Sequence, residues 1–143
     1  MYFKNNSFNK KPIRALLLSA GLGKRLRPIT YNKPKCLVEI NGYPIMEYWL
    51  RQLEIIGCEK VLINTHYLSD EVDNFLSTRK TSSMIIESKF EKKLLGTAST
   101  LITNRKFFKE STTILIHADN MTNFQISSLI DFHNEKELDN CLL

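Results

Sequence analysis

The sequence predicts a doubly wound α/β domain built on a mainly parallel sheet. Short apolar runs of strand length alternate with segments of helical period along the chain, the pattern of strands joined by helical crossovers. The run from Ile13 to Ser19, which follows Pro12, is apolar without alternation, as expected of a central strand covered on both faces. A length of 143 residues with 43% hydrophobic content is enough for one compact domain without disulfides or a structural metal.

The elements follow in order. After the first strand, a helix is predicted from Pro44 to Ile56. Ile45, Met46, Trp49, Leu50, Leu53 and Ile56 form one stripe, with Pro44 near the first turn and Gly57 just past the end. Val61 to Asn64 is the next strand. A second helix starts at Ser69 or Asp70, either of which can cap it, and runs through Leu76 with Val72, Phe75 and Leu76 facing inward. Met84 to Glu87 is a third strand, and Thr97 to Thr103 a short helix opened by the Gly96 turn. A fourth strand, Thr113 to Ile116, ends at His117-Ala118-Asp119-Asn120, and Ile126 to Glu137 is a last helix with Ile126, Leu129, Ile130 and His133 at helical spacing. Cys141-Leu142-Leu143 reads as the start of a further buried strand, so the domain is expected to be incomplete at its C-terminus, and residues 1–11 are expected to form a loose arm before a domain covering 12–143.

Several function classes are argued against at this level. Cys36, Cys58 and Cys141 include no CxxC pair and no histidine at zinc-finger spacing, so they read as reduced thiols of a cytoplasmic protein. Lys10, Lys11 and Arg14 before an apolar run imitate an export signal, but the run is short and ends in Gly23-Lys24-Arg25; no stretch is long enough for a membrane span. The net charge of +5 would suit nucleic acid, yet its distribution argues otherwise. Residues 1–35 carry nine basic and no acidic side chains, whereas residues 36–143 carry eleven basic and fifteen acidic ones, a net −4. Five of the nine, Lys24, Arg25, Arg27, Lys33 and Lys35, sit in one glycine-containing loop, which suits a compact polyphosphate better than an extended polymer.

That loop admits three phosphate-binding patterns, and spacing separates them. A Walker A loop fails because Leu18 stands at its first glycine and Arg25 follows Gly23-Lys24. A dinucleotide fingerprint is weak because Leu26 stands at its third glycine. The whole run Gly21-Leu22-Gly23-Lys24-Arg25-Leu26-Arg27-Pro28-Ile29-Thr30, continued by Lys33-Pro34-Lys35-Cys36-Leu37 and Ile40-Asn41-Gly42-Tyr43-Pro44, resembles the signature G-x-G-x-R-L-x-P-x-T-x-x-x-P-K-x-L of the sugar-1-phosphate nucleotidyltransferases. Every fixed position is present. The resemblance continues through Leu95-Gly96-Thr97-Ala98, similar to the family's second glycine turn, and Ala118-Asp119, placed like its metal-binding Gly-Asp pair. In overall likeness the chain is similar to mannose-1-phosphate guanylyltransferase-like or related hexose enzymes, of which it resembles the N-terminal part.

Physical chemistry supports the loop assignment independently. Gly21 and Gly23 permit unusual backbone angles and close approach of amide N–H groups to phosphate oxygens. Arg25 offers a planar fork for two oxygens, Lys35 a mobile point charge, and Pro28 and Pro34 stiffen the loop.

The resemblance implies a truncated Rossmann-like nucleotide-diphospho-sugar transferase fold and transfer of a nucleoside monophosphate from a nucleoside triphosphate to a sugar-1-phosphate. The products are an NDP-sugar for polysaccharide biosynthesis and pyrophosphate, with no covalent intermediate. It implies Arg25, Lys35 and Asp119 as catalytic residues, Ala20, Gly21, Leu22, Gly23, Arg25 and Gly96 as nucleotide-binding, and Asp119 as ligand to Mg2+. The expected partners are the triphosphate and the sugar-1-phosphate, with no nucleic acid and no membrane; a homo-oligomer is compatible with this. The resemblance further implies that this portion alone is inactive, because the family's second metal carboxylate and sugar pocket come from a C-terminal half. The competing expectation is a non-catalytic nucleotide-binding or regulatory module using the same loop. Ser99 and Ala118 stand where the family often has glycine, and Glu91 lies near an acidic position of its pattern without being assigned a role. His66, His117 and His133 have no metal-spaced partner and read as structural or solvated.

Overall fold

The protein is described by a computed structural model covering residues 11–80, 83–137 and 139–140. The expected arm, apart from Lys11, and the expected strand at Cys141 lie outside the described residues. The chain runs through β1 (Ile13–Leu18), β2 (Glu39–Ile40), β3 (Tyr43–Pro44), α1 (Ile45–Ile55), β4 (Lys60–Thr65), α2 (Ser69–Thr78), β5 (Ile85–Phe90), α3 (Thr97–Thr103), β6 (Thr112–His117) and α4 (Ile126–Glu135). Four strands form one parallel sheet in the order β5-β4-β1-β6. From β1 the chain steps outward through β4 to β5, then returns to the other side of β1 as β6.

This order explains why β1 is uniformly apolar. Ala15, Leu16 and Leu17 are wholly buried, because the strand has neighbours on both edges and helices on both faces. One face joins Ala15, Leu17, Val61 and Ile63 to Met46, Leu50 and Leu53 of α1, Val72 of α2 and Ile126 of α4. The other packs Leu16 and Leu62 against Phe108, with Leu101 of α3 alongside. Burial of side chains of this size contributes about 1.5–3 kcal/mol each, so the sheet centre is the firm part of the molecule. Its parallel strands all end at one edge, where the connecting loops meet.

Most predicted elements stand within one to three residues of their expected bounds. The stripe on α1 is the buried one, and the helix closes after Ile55 with Gly57 N–H on the Glu54 carbonyl at 3.0 Å and Cys58 N–H on Leu53 at 2.9 Å. Three features differ. A small antiparallel hairpin of β2 and β3, joined by Asn41 (φ 52) and Gly42 (φ 79), precedes α1 and was not among the predicted elements. Neither Ser69 nor Asp70 caps α2: the chain reverses at Leu68 (φ 51), whose carbonyl accepts the first bond, from Glu71 N–H at 3.1 Å, so Ser69 is already helical. Asp70 and Glu71 instead sit in the first turn, favourably placed against the helix dipole. Finally, β5 continues to Phe90 beyond the predicted Glu87, because an outer strand keeps pairing with β4 through its polar Ser88 and Lys89.

Candidate functional site

The loop after β1 is a series of short 3-10 turns, Lys24–Leu26, Ile29–Tyr31 and Lys35–Leu37, rather than one open coil. Gly23 opens the first in the left-handed region, φ 63 and ψ 17. The wholly buried Thr30 staples this turn shut: its hydroxyl donates to the Gly23 carbonyl at 2.7 Å, while Leu26 N–H reaches the same carbonyl at 2.9 Å. From the loop after β4, the Tyr67 hydroxyl donates to the carbonyls of Thr30 and Tyr31, each at 3.0 Å. The loop after β1 is thus held from inside and from a neighbouring loop.

Its polar groups are left for something else. Among the described residues, the N–H groups of Gly21, Leu22 and Gly23 have no hydrogen-bond acceptor, and the exposed Arg25 makes neither hydrogen bond nor ion pair. Ala20 is buried beneath them. Gly21 does not carry the unusual backbone angle expected of it; only Gly23 does, because the 3-10 turn begins there.

Lys35 and Asp119, widely separated in sequence, are brought together. Lys35 Nζ donates to Asp119 Oδ2 across the gap between the loop after β1 and the end of β6. That gap is where the strand order reverses, the place at which open α/β sheets receive ligands. Asp119 is itself positioned by α1. The Trp49 indole N–H donates to the Asn120 carbonyl at 2.8 Å, and the Tyr48 hydroxyl donates to the Thr122 carbonyl, so the chain following the aspartate is tied. Ala118 N–H completes the link to β1 through the Leu18 carbonyl at 2.9 Å. Both ion-pair side chains remain partly exposed, at 24% and 34%. Beneath them, burial pushes the Cys36 thiol up to about 12, which removes it as a nucleophile near neutral pH.

Gly96 lies apart, at the start of α3 with φ 79 and ψ 165. What joins its turn to the loop after β1 is Glu91, a residue that sequence reasoning left unassigned. Its buried carboxylate accepts from Asn64 Nδ2 at 3.0 Å, Thr100 Oγ1 at 2.5 Å and Leu95 N–H at 3.2 Å. Burial works to raise its pKa, but the bonds from Thr100, Asn64 and Leu95 outweigh it and hold the carboxyl below the usual range. The available signal was an acidic residue at the end of a strand, five positions before a glycine turn; its significance depends on Asn64 and Thr100, which only the fold brings near.

No group of three or more histidine, cysteine, aspartate or glutamate side chains able to hold a metal occurs among the described residues, and no helix there is long and apolar enough to cross a membrane. A groove of about 760 Å³ between the end of α1 and residues 121–127 contains none of the predicted site residues.

Comparison with known proteins agrees with this arrangement. Residues 14–142 match the model of the nucleotidyl transferase family. The UTP–glucose-1-phosphate uridylyltransferase of Synechocystis is 27% identical over 87% of this chain and 35% of its own length. The mannose-1-phosphate guanylyltransferase catalytic subunit beta of Drosophila melanogaster is 32% identical over 84% of this chain and 33% of its own. Among solved structures, the CTP:phosphocholine cytidylyltransferase of Streptococcus pneumoniae superposes with a TM-score of 0.66 at 28% identity, covering 80% of this chain and 48% of that one. The chain therefore spans about a third of the length of these curated relatives. The family match, the sheet order and the loop together establish that this chain belongs to the nucleotidyl transferase family.

Proposed function

We propose that the chain is the nucleotide-handling portion of an enzyme that transfers a nucleoside monophosphate from a nucleoside triphosphate to a sugar-1-phosphate, giving an NDP-sugar and pyrophosphate. The observation that carries this reading is the meeting of Lys35 with Asp119 at the strand-order reversal, beside a loop in which the N–H groups of Gly21, Leu22 and Gly23 and the Arg25 side chain have no partner among the described residues. A phosphate oxygen of the sugar-1-phosphate attacks the α-phosphorus in line as pyrophosphate departs. Both reactants are anionic, so the protein's task is to hold them together and to meet charge that accumulates on the phosphoryl oxygens. In this reading the N–H groups from Ala20 to Gly23 cradle the triphosphate, Arg25 grips two of its oxygens, and Lys35 stabilises charge near the point of transfer. Gly96 receives the base or ribose. No side chain forms a covalent bond to substrate.

Magnesium fits the residues present. Asp119 supplies one carboxylate beside the phosphate loop, and this ion commonly takes one or two carboxylates with the remaining positions filled by phosphate oxygens and water. The ion's contribution would be to neutralise phosphate charge at the transfer point. Asp119 would hold it, and Lys35 would turn from the aspartate to the phosphates. A cytoplasmic enzyme of polysaccharide precursor synthesis accords with the buried Cys36 and Cys58 thiols.

The test measures pyrophosphate release by this chain and by a form extended at its C-terminus. Each nucleoside triphosphate is combined with magnesium and a panel of sugar-1-phosphates, phosphocholine being included because one structural relative is named for it. The expected result is triphosphate binding by the 143-residue chain and turnover by the extended form. Silence from both forms across the panel overturns the proposal, and binding without turnover assigns the non-catalytic alternative.

A further inference from the structure

We infer that Glu91 is a positioning residue whose carboxylate fixes the loop after β1 relative to the Gly96 turn, so that one nucleoside triphosphate engages both. The inference rests on the reading above, in which that loop receives phosphates and the Gly96 turn receives base or ribose.

Glu91 is 6% exposed, and glutamate is seldom buried without a reason that repays its desolvation. Its two oxygens face in two directions. Oε2 takes the Leu95 N–H, one residue before Gly96, while Oε1 takes the Thr100 hydroxyl in the first turn of α3 and the Asn64 amide at the end of β4. An ionised carboxylate only accepts, so Asn64 must offer its NH2 group. The other end of that amide is thereby turned outward, and Asn64 Oδ1 accepts from Ser19 N–H at 2.8 Å. The Ser19 hydroxyl donates in turn to the Asn64 carbonyl at 2.6 Å. Ser19 directly precedes Ala20, where the phosphate loop begins. The backbone of Glu91 is pinned as well, its N–H to the Thr65 carbonyl at 2.8 Å and its carbonyl to His66 Nδ1 at 2.7 Å.

The relay thus runs from Leu95 and Thr100 through Glu91 and Asn64 to Ser19, across three strand ends, and Glu91 itself touches neither the phosphate loop nor Gly96. Its sign matters. A glutamine of the same shape keeps one acceptor and turns the other into a donor. With its oxygen toward Asn64 and Thr100, its NH2 group faces the Leu95 N–H, donor against donor, and the hold on the Gly96 turn is lost; turned over, the NH2 group faces the Asn64 amide and the hold on Ser19 is lost instead.

The experiment uses the full 143-residue chain. Amide hydrogen exchange is followed at Ser19 and Leu95, and calorimetry gives the affinity for each nucleoside triphosphate with magnesium and for inorganic tripolyphosphate, which can use only the phosphate loop. In Glu91→Gln, exchange is expected to quicken at one end of the relay, Leu95 where the glutamine oxygen keeps Asn64 and Thr100, and the nucleotide to bind about tenfold more weakly, a typical size for coupling between two sites. Tripolyphosphate is expected to stay within about twofold, and Glu91→Asp, which keeps the charge, to recover part of the loss. A merely structural role would weaken both ligands alike, and that result overturns the inference, as does unchanged nucleotide affinity. Should Glu91→Gln fail to fold, Thr100→Val removes one donor while keeping the branched shape. It is expected to cost about threefold in nucleotide affinity alone, and no loss there is equally fatal. If the unaltered chain binds no triphosphate, or Arg25→Ala leaves affinity unchanged, the functional reading falls and this inference with it. If Arg25→Ala weakens binding and Glu91→Gln does not, only the inference falls.

Discussion

Two glycines of the loop after β1, two residues apart, should respond to alanine very differently. At Gly23 the backbone is left-handed, φ +63, and a Cβ would lie 2.9 Å from Thr30 Cγ2, 3.0 Å from its Cβ and 3.2 Å from its hydroxyl. Thr30 cannot swing outward, because it is wholly buried and its carbonyl is held by Tyr67. Gly23→Ala therefore costs about 1–2 kcal/mol for the backbone conformation, about 1 kcal/mol for the Thr30 to Gly23 hydrogen bond if it breaks, and about 1–3 kcal/mol for overpacking. Together this is about 3 kcal/mol or more, a large share of the stability of a domain this size. At Gly21 an added Cβ meets nothing within 4 Å and the backbone angle is ordinary, so Gly21→Ala should stay within about 0.5 kcal/mol. Urea denaturation followed by circular dichroism reads both values from midpoint and slope. Adding Thr30→Ser to Gly23→Ala removes the nearest atom, Cγ2, and should restore about 1 kcal/mol or more as a coupling term. The reasoning is refuted if Gly23→Ala is as mild as Gly21→Ala, or if serine at position 30 brings no recovery.

Arg25 is exposed and has no partner among the described residues, so Arg25→Ala should leave the urea midpoint unchanged while weakening triphosphate binding about tenfold or more, a charge-assisted contact being worth about 1.5–3 kcal/mol; a shifted midpoint with intact affinity would reverse its assignment. Because the Glu91 carboxyl has a lowered pKa in the folded chain, its stabilisation is fully present above the unfolded value of about 4.3 and is lost as pH falls through the folded one. Stability measured from pH 6 downward should therefore decline less steeply in Glu91→Gln than in the unaltered chain, and parallel curves would contradict the assignment. Burial raises the Cys36 thiol to about 12 and the Cys58 thiol to about 11, so neither should react with iodoacetamide at pH 8 until urea is added. Peptide mapping by mass spectrometry checks each site, and rapid native labelling of either would show that its cover opens.

The parts of the molecule that could be read from sequence are those where burial or fixed spacing leaves a linear trace. A strand covered on both faces, such as Ile13–Leu18, has no polar alternation to obscure it, and the α1 stripe repeats at helical spacing around Met46, Leu50 and Leu53. The loop was legible because its signature is contiguous. The hairpin at Glu39–Ile40 and Tyr43–Pro44 is too short to show a period, and the polar end of β5 is strand only because β4 offers it hydrogen bonds. The α2 start was misread because Tyr67 and the Leu68 reversal, rather than a hydroxyl or carboxylate cap, set where helical bonding begins. Glu91 illustrates the remaining limit: its partners lie 27 positions before it and 9 after it, distances at which spacing alone says nothing of contact.

The chain contains a single tryptophan, and its indole N–H is bonded to the residue immediately after Asp119. Trp49 is 5% exposed, with the Tyr48 ring edge-on at 5.1 Å, so its emission arises from one defined environment. An event that shifts the Asp119 backbone carries Asn120 with it and so disturbs that bond. The wavelength and yield of unlabelled protein fluorescence therefore report on the segment that carries the aspartate, and a titration with divalent cation or triphosphate that moves this segment can be followed by light from inside the fold.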